Sequence, residues 1–377
     1  MNFLFSLSSL IFFIFSDPLY ASSKEDIEWA KDFTRWATVF DPREGLLNNK
    51  PIAVLDGGFF TRHSRSSRFC TSFLTKDICS DAFNPRFKDF EDINEKLFYV
   101  NSDDIIDYHI CLGEPHSNHH GTSTCHIIHQ LAPSCSLIPI FYYKNDPEIV
   151  ISALEYAKKF SILNLSITFS PDYYKSKMNE GVKKKLIELA NKNDMLLILA
   201  AGNSFFDLDD STDYFRDILD IIDATKENVI LVGATMRDNN PNEDEKLEIY
   251  WEEEANPFGD KLRGTNRPGK KEEYQNRFLV APAFVFPEYD SQTLFGGTSS
   301  ANPIVSAIAS TLWSEYPDKS ALEIGKALLM GASFEKISHP PYNKMVSYKG
   351  TLNDYNKEYY GRGMIHYLNA RKVLNSK

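Results

Sequence analysis

What the chain lacks narrows its function first. It has no sustained basic stripe, because Asp and Glu outnumber Lys and Arg by 52 to 41 for a net charge of −11. The lone basic run, Lys183-Lys184-Lys185, reads as a solvated helix face. That composition argues against nucleic acid or an anionic membrane surface as partner, since both are held by clustered positive charge. There is no internal repeat, no low-complexity tract, and no His-Glu-x-x-His or Cys-x-x-Cys pattern. Cysteine is sparse: the five residues Cys70, Cys79, Cys111, Cys125 and Cys135 fall in one segment, and an odd count leaves at least one unpaired. If the chain is exported, Cys70 with Cys79 is the expected local bridge.

The N-terminal block Met1 to Phe15 carries no charged side chain, and Ala21-Ser22-Ser23 supplies the small residues that signal peptidase accepts. A cleaved signal peptide over 1–23, with cleavage after Ala21 or Ser23, is the expectation, giving a secreted or periplasmic protein. The block is shorter than the ~20 apolar residues a bilayer span needs, so no stable membrane anchor is expected. Residues 24–50 follow as a helical segment with Ile27, Ala30, Phe33, Trp36 and Phe40 at helical spacing. It falls below the ~40 residues an unaided domain needs, so it is expected to stay docked on the body, with the active protein beginning near Ser22.

What is present is an ordinary globular composition, 42% hydrophobic and 25% charged over 377 residues. Short apolar runs at 51–56, 136–141, 162–169, 195–201 and 228–234 alternate with helical patterns at 121–131, 147–160 and 181–193. Such alternation predicts an α/β fold, a mostly parallel central sheet with helices on both faces, over residues 51–377. Irregular stretches near 61–107 and 238–275 read as surface insertions.

The stretch from Phe295 to Val305 is the organising one. Ile304 to Trp313 is apolar on most sides and small on one, which suits a tightly buried helix. Pro303 belongs in the first turn of such a helix, and Gly296 and Gly297 permit a bend ahead of it. Ser299 then sits where unpaired N–H groups and the positive helix end converge, a place to stabilise an oxyanion. Taken alone, Ser299 reads first as an N-cap, and Asp56, at the end of an apolar strand, as a cap or turn residue.

Four blocks change that reading. Ala53-Val-Leu-Asp56-Gly-Gly, His120-Gly-Thr, Ala200-Ala-Gly-Asn203 and Gly297-Thr-Ser299-Ser-Ala-Asn-Pro303 resemble, in order, the Asp, His, oxyanion-Asn and Ser blocks of the subtilisin-like serine proteases. The resemblance implies a serine endopeptidase acting on protein or peptide substrates through an acyl-enzyme, with no cofactor required. It implies Ser299 as nucleophile, His120 as general base and Asp56 as its orienting partner. Asn203 would serve as oxyanion donor, and Ser166 would border the substrate's side-chain pocket. The chain departs from the family pattern at Ser300, often methionine there, at His126, at Ser166-Ile-Thr168, which lacks a usual glycine, and at Ala283.

Two alternatives stand beside it. One is a catalytically impaired binding protein on the same fold. The other is a metal-binding protein using the His and Cys residues crowded into 109–135, since zinc accepts both residue types. Calcium, common in the family, has one candidate, the acidic run Asp207 to Asp213, which lacks EF-hand spacing.

Overall fold

The computed structural model of the protein describes residues 50–56, 120–132, 135, 137–141, 147–158, 160–166, 178–192, 194–209, 216–237, 247–249, 251–254, 261–283, 296–337 and 350–376. The expected signal segment, the helix at 25–40, the 61–107 insertion and the Cys70–Cys79 pair lie outside them.

The chain alternates strand and helix from its first described element. Strand β1 (Ile52–Asp56) leads to helix α1 (His120–Leu131), then β2 (Leu137–Phe141), α2 (Pro147–Ala157) and β3 (Ile162–Leu165). Next come α3 (Glu180–Lys192), β4 (Leu196–Ala200), α4 (Arg216–Asp223) and β5 (Val229–Arg237). These strands line up in the order β2-β1-β3-β4-β5, all parallel. Because each strand is covered on both faces, its residues are apolar without alternation. Ala53 and Leu55 join one buried cluster while Ile52 and Val54 join the other, and the same split runs through β3, β4 and β5. Helices α2, α3 and α4 cover the first face, and α1 covers the second.

Several described residues of the 238–275 stretch, which reads as a surface insertion, are buried. Strand β6 (Leu247–Ile249) pairs antiparallel with the end of β5, and Leu247 and Ile249 are buried. A hairpin of β7 (Trp251–Glu254) and β8 (Lys261–Gly264) follows, and Thr265 and Asn266 just after it have no exposed surface. A polar reading failed there because these polar groups are buried against backbone rather than water. The short helix α5 (Glu272–Gln275) then returns the chain to β9 (Phe278–Pro282), parallel to β5.

Helix α6 (Thr298–Glu315) is the spine of the second face, buried along Thr298 to Trp313 except at Ser299. It starts earlier than expected, so Pro303 stands in its second turn rather than its first. The N–H that Pro303 lacks would have reached the Ser299 carbonyl, four residues back.

Three further helices complete the described fold: α7 (Ala321–Gly331), α8 (Leu352–Tyr360) and α9 (Tyr367–Asn375). Capping boxes start α7, through Ser320 and Glu323, and α8, through Thr351 and Asp354. No helix among the described residues is long and apolar enough to cross a membrane.

Helix α7 lies so close to the loop before β5 that a Cβ on Gly325 would sit 1.9 Å from the Glu227 carbonyl oxygen. Alanine normally gains about 1 kcal/mol over glycine inside a helix, but here the clash is with backbone and outweighs it. Gly325→Ala should therefore destabilise the fold by about 1–3 kcal/mol, read as a lower urea midpoint at unchanged slope.

Candidate active site

The sheet order reverses direction between β1 and β3, and in open parallel sheets the crevice left there at the carboxyl ends of the strands is where ligands bind. Asp56 ends β1, Ser166 directly follows β3, and Asn203 lies three residues past β4. Helices α1 and α6, which begin at this same edge, pack against each other. Five of the residues singled out from sequence, Asp56, His120, Ser166, Asn203 and Ser299, thus come from separate elements that end or begin at one rim.

Asp56 is fully buried, which for a carboxylate demands partners. It has them on both oxygens. Oδ1 lies 2.7 Å from His120 Nδ1, and Oδ2 accepts from the Thr124 hydroxyl at 2.8 Å. His120 and Thr124 are four residues apart on α1 and therefore share one face of the helix, so a single docked helix turn supplies both contacts. With Nδ1 turned to the carboxylate, the His120 ring is fixed with its Nε2 edge on the opposite side, and its side chain keeps 29% exposure.

Asn203 caps α6 from outside the helix. The N-cap residue, Gly297, has no side chain to do so and takes φ +70°. Asn203 Oδ1 instead accepts from the Thr298 N–H at 2.9 Å and from the Thr298 hydroxyl at 3.1 Å. Holding the carbonyl side of the carboxamide in this way leaves Nδ2 as its donor edge. A Cβ on Gly297 would meet that carboxamide at 2.9 Å, so the glycine is required twice over, by conformation and by space. Ser299, second in the helix, contributes one of the N–H groups that have no partner a turn earlier. Its hydroxyl donates to the Ser166 carbonyl at 3.3 Å.

Beneath these groups runs a buried polar network that joins α6 to the sheet. Asn164 Nδ2 donates to the Ser306 hydroxyl at 2.8 Å, the Ser166 hydroxyl donates to Asn164 Oδ1 at 2.9 Å, and Asn302 Nδ2 reaches the Ser166 hydroxyl and the Ile198 carbonyl, each at 3.2 Å. The Ser166 side chain is committed to this interior, so what it presents toward Ser299 is its backbone carbonyl. Ser300 donates to the carbonyls of Ala283 and Gly297, a tie that the methionine often found at this position in the resembling family has no hydroxyl to make.

The loop after β4 is strapped by the segment behind it. Asn266, with no exposed surface, donates Nδ2 to the Ala201 carbonyl at 2.7 Å, and its Oδ1 accepts from the N–H groups of Ser204 at 3.1 Å and Phe206 at 3.2 Å. Those contacts bracket Asn203 on both sides. Phe205 holds φ +57°, a left-handed conformation that costs a bulky residue about 1–3 kcal/mol.

Thr124, Thr298 and Asn266 were not singled out from sequence. Thr124 carried a usable signal, being one helical turn from His120. Asn266 carried none, since its partners lie 60 to 65 residues away in sequence.

The two described cysteines, Cys125 and Cys135, are thiols rather than members of a disulfide. Burial, and then the Asp56 charge, push Cys125 well above the ordinary thiol range, and burial pushes Cys135 up to about 12. Neither is the thiolate that a nucleophile must be. Among the described residues no group of three His, Cys, Asp or Glu side chains is placed to hold a metal ion, and the other residues of the 109–135 cluster lie outside the described side chains. In the described part of the acidic run, Asp207 faces Arg267 at 2.7 Å, and Asp209 accepts from the Lys270 N–H at 2.6 Å. These carboxylates already answer cationic or N–H donors.

Comparison with known proteins bears on the family and the fold. The model of the subtilase family matches residues 48–361. A lanthipeptide protease of known structure is similar at TM-score 0.51 and 19% identity, over 93% of this chain and 96% of that one. The A-subunit of an AB5 toxin from E. coli is similar at TM-score 0.50 and 14% identity, over 93% and 97%. At such identities the two structures speak to fold alone. A search of curated proteins finds no match.

The Thr124 contact is open to direct measurement. Thr124→Val keeps the shape but leaves one oxygen of a buried carboxylate without its donor, which should cost about 1–3 kcal/mol. Chemical denaturation at neutral pH would read it, and a variant as stable as the parent would show that Asp56 does not depend on this hydroxyl.

Proposed function

The chain belongs to the subtilase family and is a serine peptidase, and on that premise we propose that it is an endopeptidase whose working set is Ser299, His120, Asp56 and Asn203. The observation that carries this reading is the 2.7 Å contact between His120 Nδ1 and the buried Asp56, made beside the N-terminus of the helix that bears Ser299.

In this reading Ser299 Oγ turns from the Ser166 carbonyl and attacks the scissile carbonyl carbon while His120 Nε2 takes its proton. The buried Asp56 carboxylate holds the ring and stabilises the imidazolium that forms. The carbonyl oxygen gains a negative charge, met by Asn203 Nδ2 and the Ser299 N–H, both preorganised before substrate arrives. Collapse of the tetrahedral species breaks the C–N bond, and His120 passes its proton to the leaving amine. Water, deprotonated by the same imidazole, then releases the acyl group and restores Ser299.

No step needs a metal or organic cofactor. The substrate class is protein or peptide. Export through residues 1–23, to the exterior or periplasm, is part of the proposal and rests on the composition of that segment.

Two measurements test the assignment. Ser299→Ala should remain folded and lose peptide turnover, and a variant cleaving as fast as the parent would remove Ser299 from the nucleophile's role. Asn203→Ala should lower kcat by roughly 10²–10³ with little change in KM, because its bond to the oxyanion forms in the transition state. A change confined to KM would assign Asn203 to substrate binding instead.

A further inference from the structure

We propose that Arg267 is a positioning residue for the oxyanion donor Asn203, acting by holding Phe205 in its left-handed conformation. The inference rests on the role given to Asn203 above and extends it to a residue that touches neither substrate nor the reacting atoms.

Phe205 lies two residues past Asn203, and its φ of +57° is one that a bulky side chain does not keep unless its surroundings enforce it. Three contacts do so. The Phe205 N–H donates to the Gly264 carbonyl at 2.8 Å, fixing one side of the peptide. Arg267 Nη2 donates to the Phe205 carbonyl at 3.4 Å, holding the other. The Arg267 guanidinium also lies over the Phe205 ring, 4.6 Å from its centroid.

The guanidinium is itself held on every side. It also lies over the Tyr359 ring, 4.8 Å from its centroid, and Tyr359 stacks on Tyr355 at 4.1 Å, so α8 backs the column. Arg267 Nε lies 2.7 Å from the Asp207 carboxylate, in an ion pair rather than an aligned hydrogen bond. Backbone bonds from Arg267 to the Phe206 carbonyl and from Leu208 to the Arg267 carbonyl, each 2.8 Å, close the loop around it.

A flat, delocalised cation is the side chain that can satisfy all of these at once. Lysine offers charge but no plane to stack and no second donor in a fixed fork. Without the column, Phe205 loses two of the three contacts that hold it in a disfavoured well, and a shift of its peptide moves Asn203, two residues earlier, away from the oxyanion position. Misplacement of that kind is felt in the transition state more than in substrate binding.

The test is a double-mutant cycle on the full chain, measuring kcat and KM on one peptide substrate for the parent, Arg267→Ala, Asn203→Ala and the double variant, with thermal unfolding of each. Arg267→Ala is expected to lower kcat about tenfold with KM held within about twofold. In the Asn203→Ala background the same change should add less than about twofold, since a residue acting through Asn203 has nothing left to position. Arg267→Lys should resemble Arg267→Ala rather than the parent.

Equal proportional losses in both backgrounds, a change in KM alone, or full activity in Arg267→Lys would overturn the proposal while leaving the oxyanion role of Asn203 intact. The single Asn203→Ala variant reports on that role independently: unchanged kcat there would overturn both. If Arg267→Ala does not fold, Tyr359→Leu, which removes one face of the column, enters the same cycle with the same expected and contrary outcomes.

Discussion

Asp56 has no exposed surface, and a carboxylate so placed is tolerable only because both of its oxygens are answered by hydrogen-bond donors. Those donors, His120 and Thr124, stand one turn apart on α1, so satisfying the charge fixes where that helix docks and how it is rotated. Once α1 lies across the end of β1, its apolar side chains Ile127 and Ile128 join the cluster that α6 occupies. Satisfying a single buried charge thus sets the packing of one whole face of the sheet and aims an imidazole at its rim.

The second constraint sits at the entrance of α6. A helix starting with Gly297 has no side chain to cap itself, and Asn203 reaches across from the end of β4 to do it. The cap and the donor are two ends of one carboxamide, so anchoring the helix also orients Nδ2. The interior is unusually polar for a buried helix interface. Asn164, Ser166, Asn302 and Ser306 bond to one another along it, and each is satisfied in part by another member of the set. Such a network gives the helix one register against the strands, which apolar packing alone specifies less sharply.

Much of this was legible before any coordinates. The parallel sheet could be read because strands covered on both faces are continuously apolar, and β1, β3 and β4 are short runs of that kind bounded by polar or glycine-rich breaks. The reading failed at 238–275, where Leu247, Ile249 and Asn266 are buried in a stretch of mixed charge. Composition averages over a window, whereas burial is decided residue by residue by whatever the chain folds against. It also placed Pro303 in a first turn that actually begins one turn earlier, because Thr298 and Ser299 have weak helical preference and are helical here through the cap that Asn203 provides.

By itself the sequence determined which residue types stand at strand and helix boundaries, and the resemblance of four of its blocks to a known family singled out Asp56, His120, Ser166, Asn203 and Ser299 as a candidate set. Local patterns report local conformation, and taken alone they read Ser299 as a cap and Asp56 as a cap or turn residue. Only the tertiary structure decided that Asp56 is buried and doubly bonded, that Asn203 caps α6, and that Asn266 and Arg267 brace the loop between them. Those facts depend on contacts spanning roughly 60 to 100 residues of chain. Apart from Thr124, which stands one helical turn from His120, no neighbouring residue carries a trace of them, because they exist only once separate elements have been brought to one rim by the burial of both faces of the sheet.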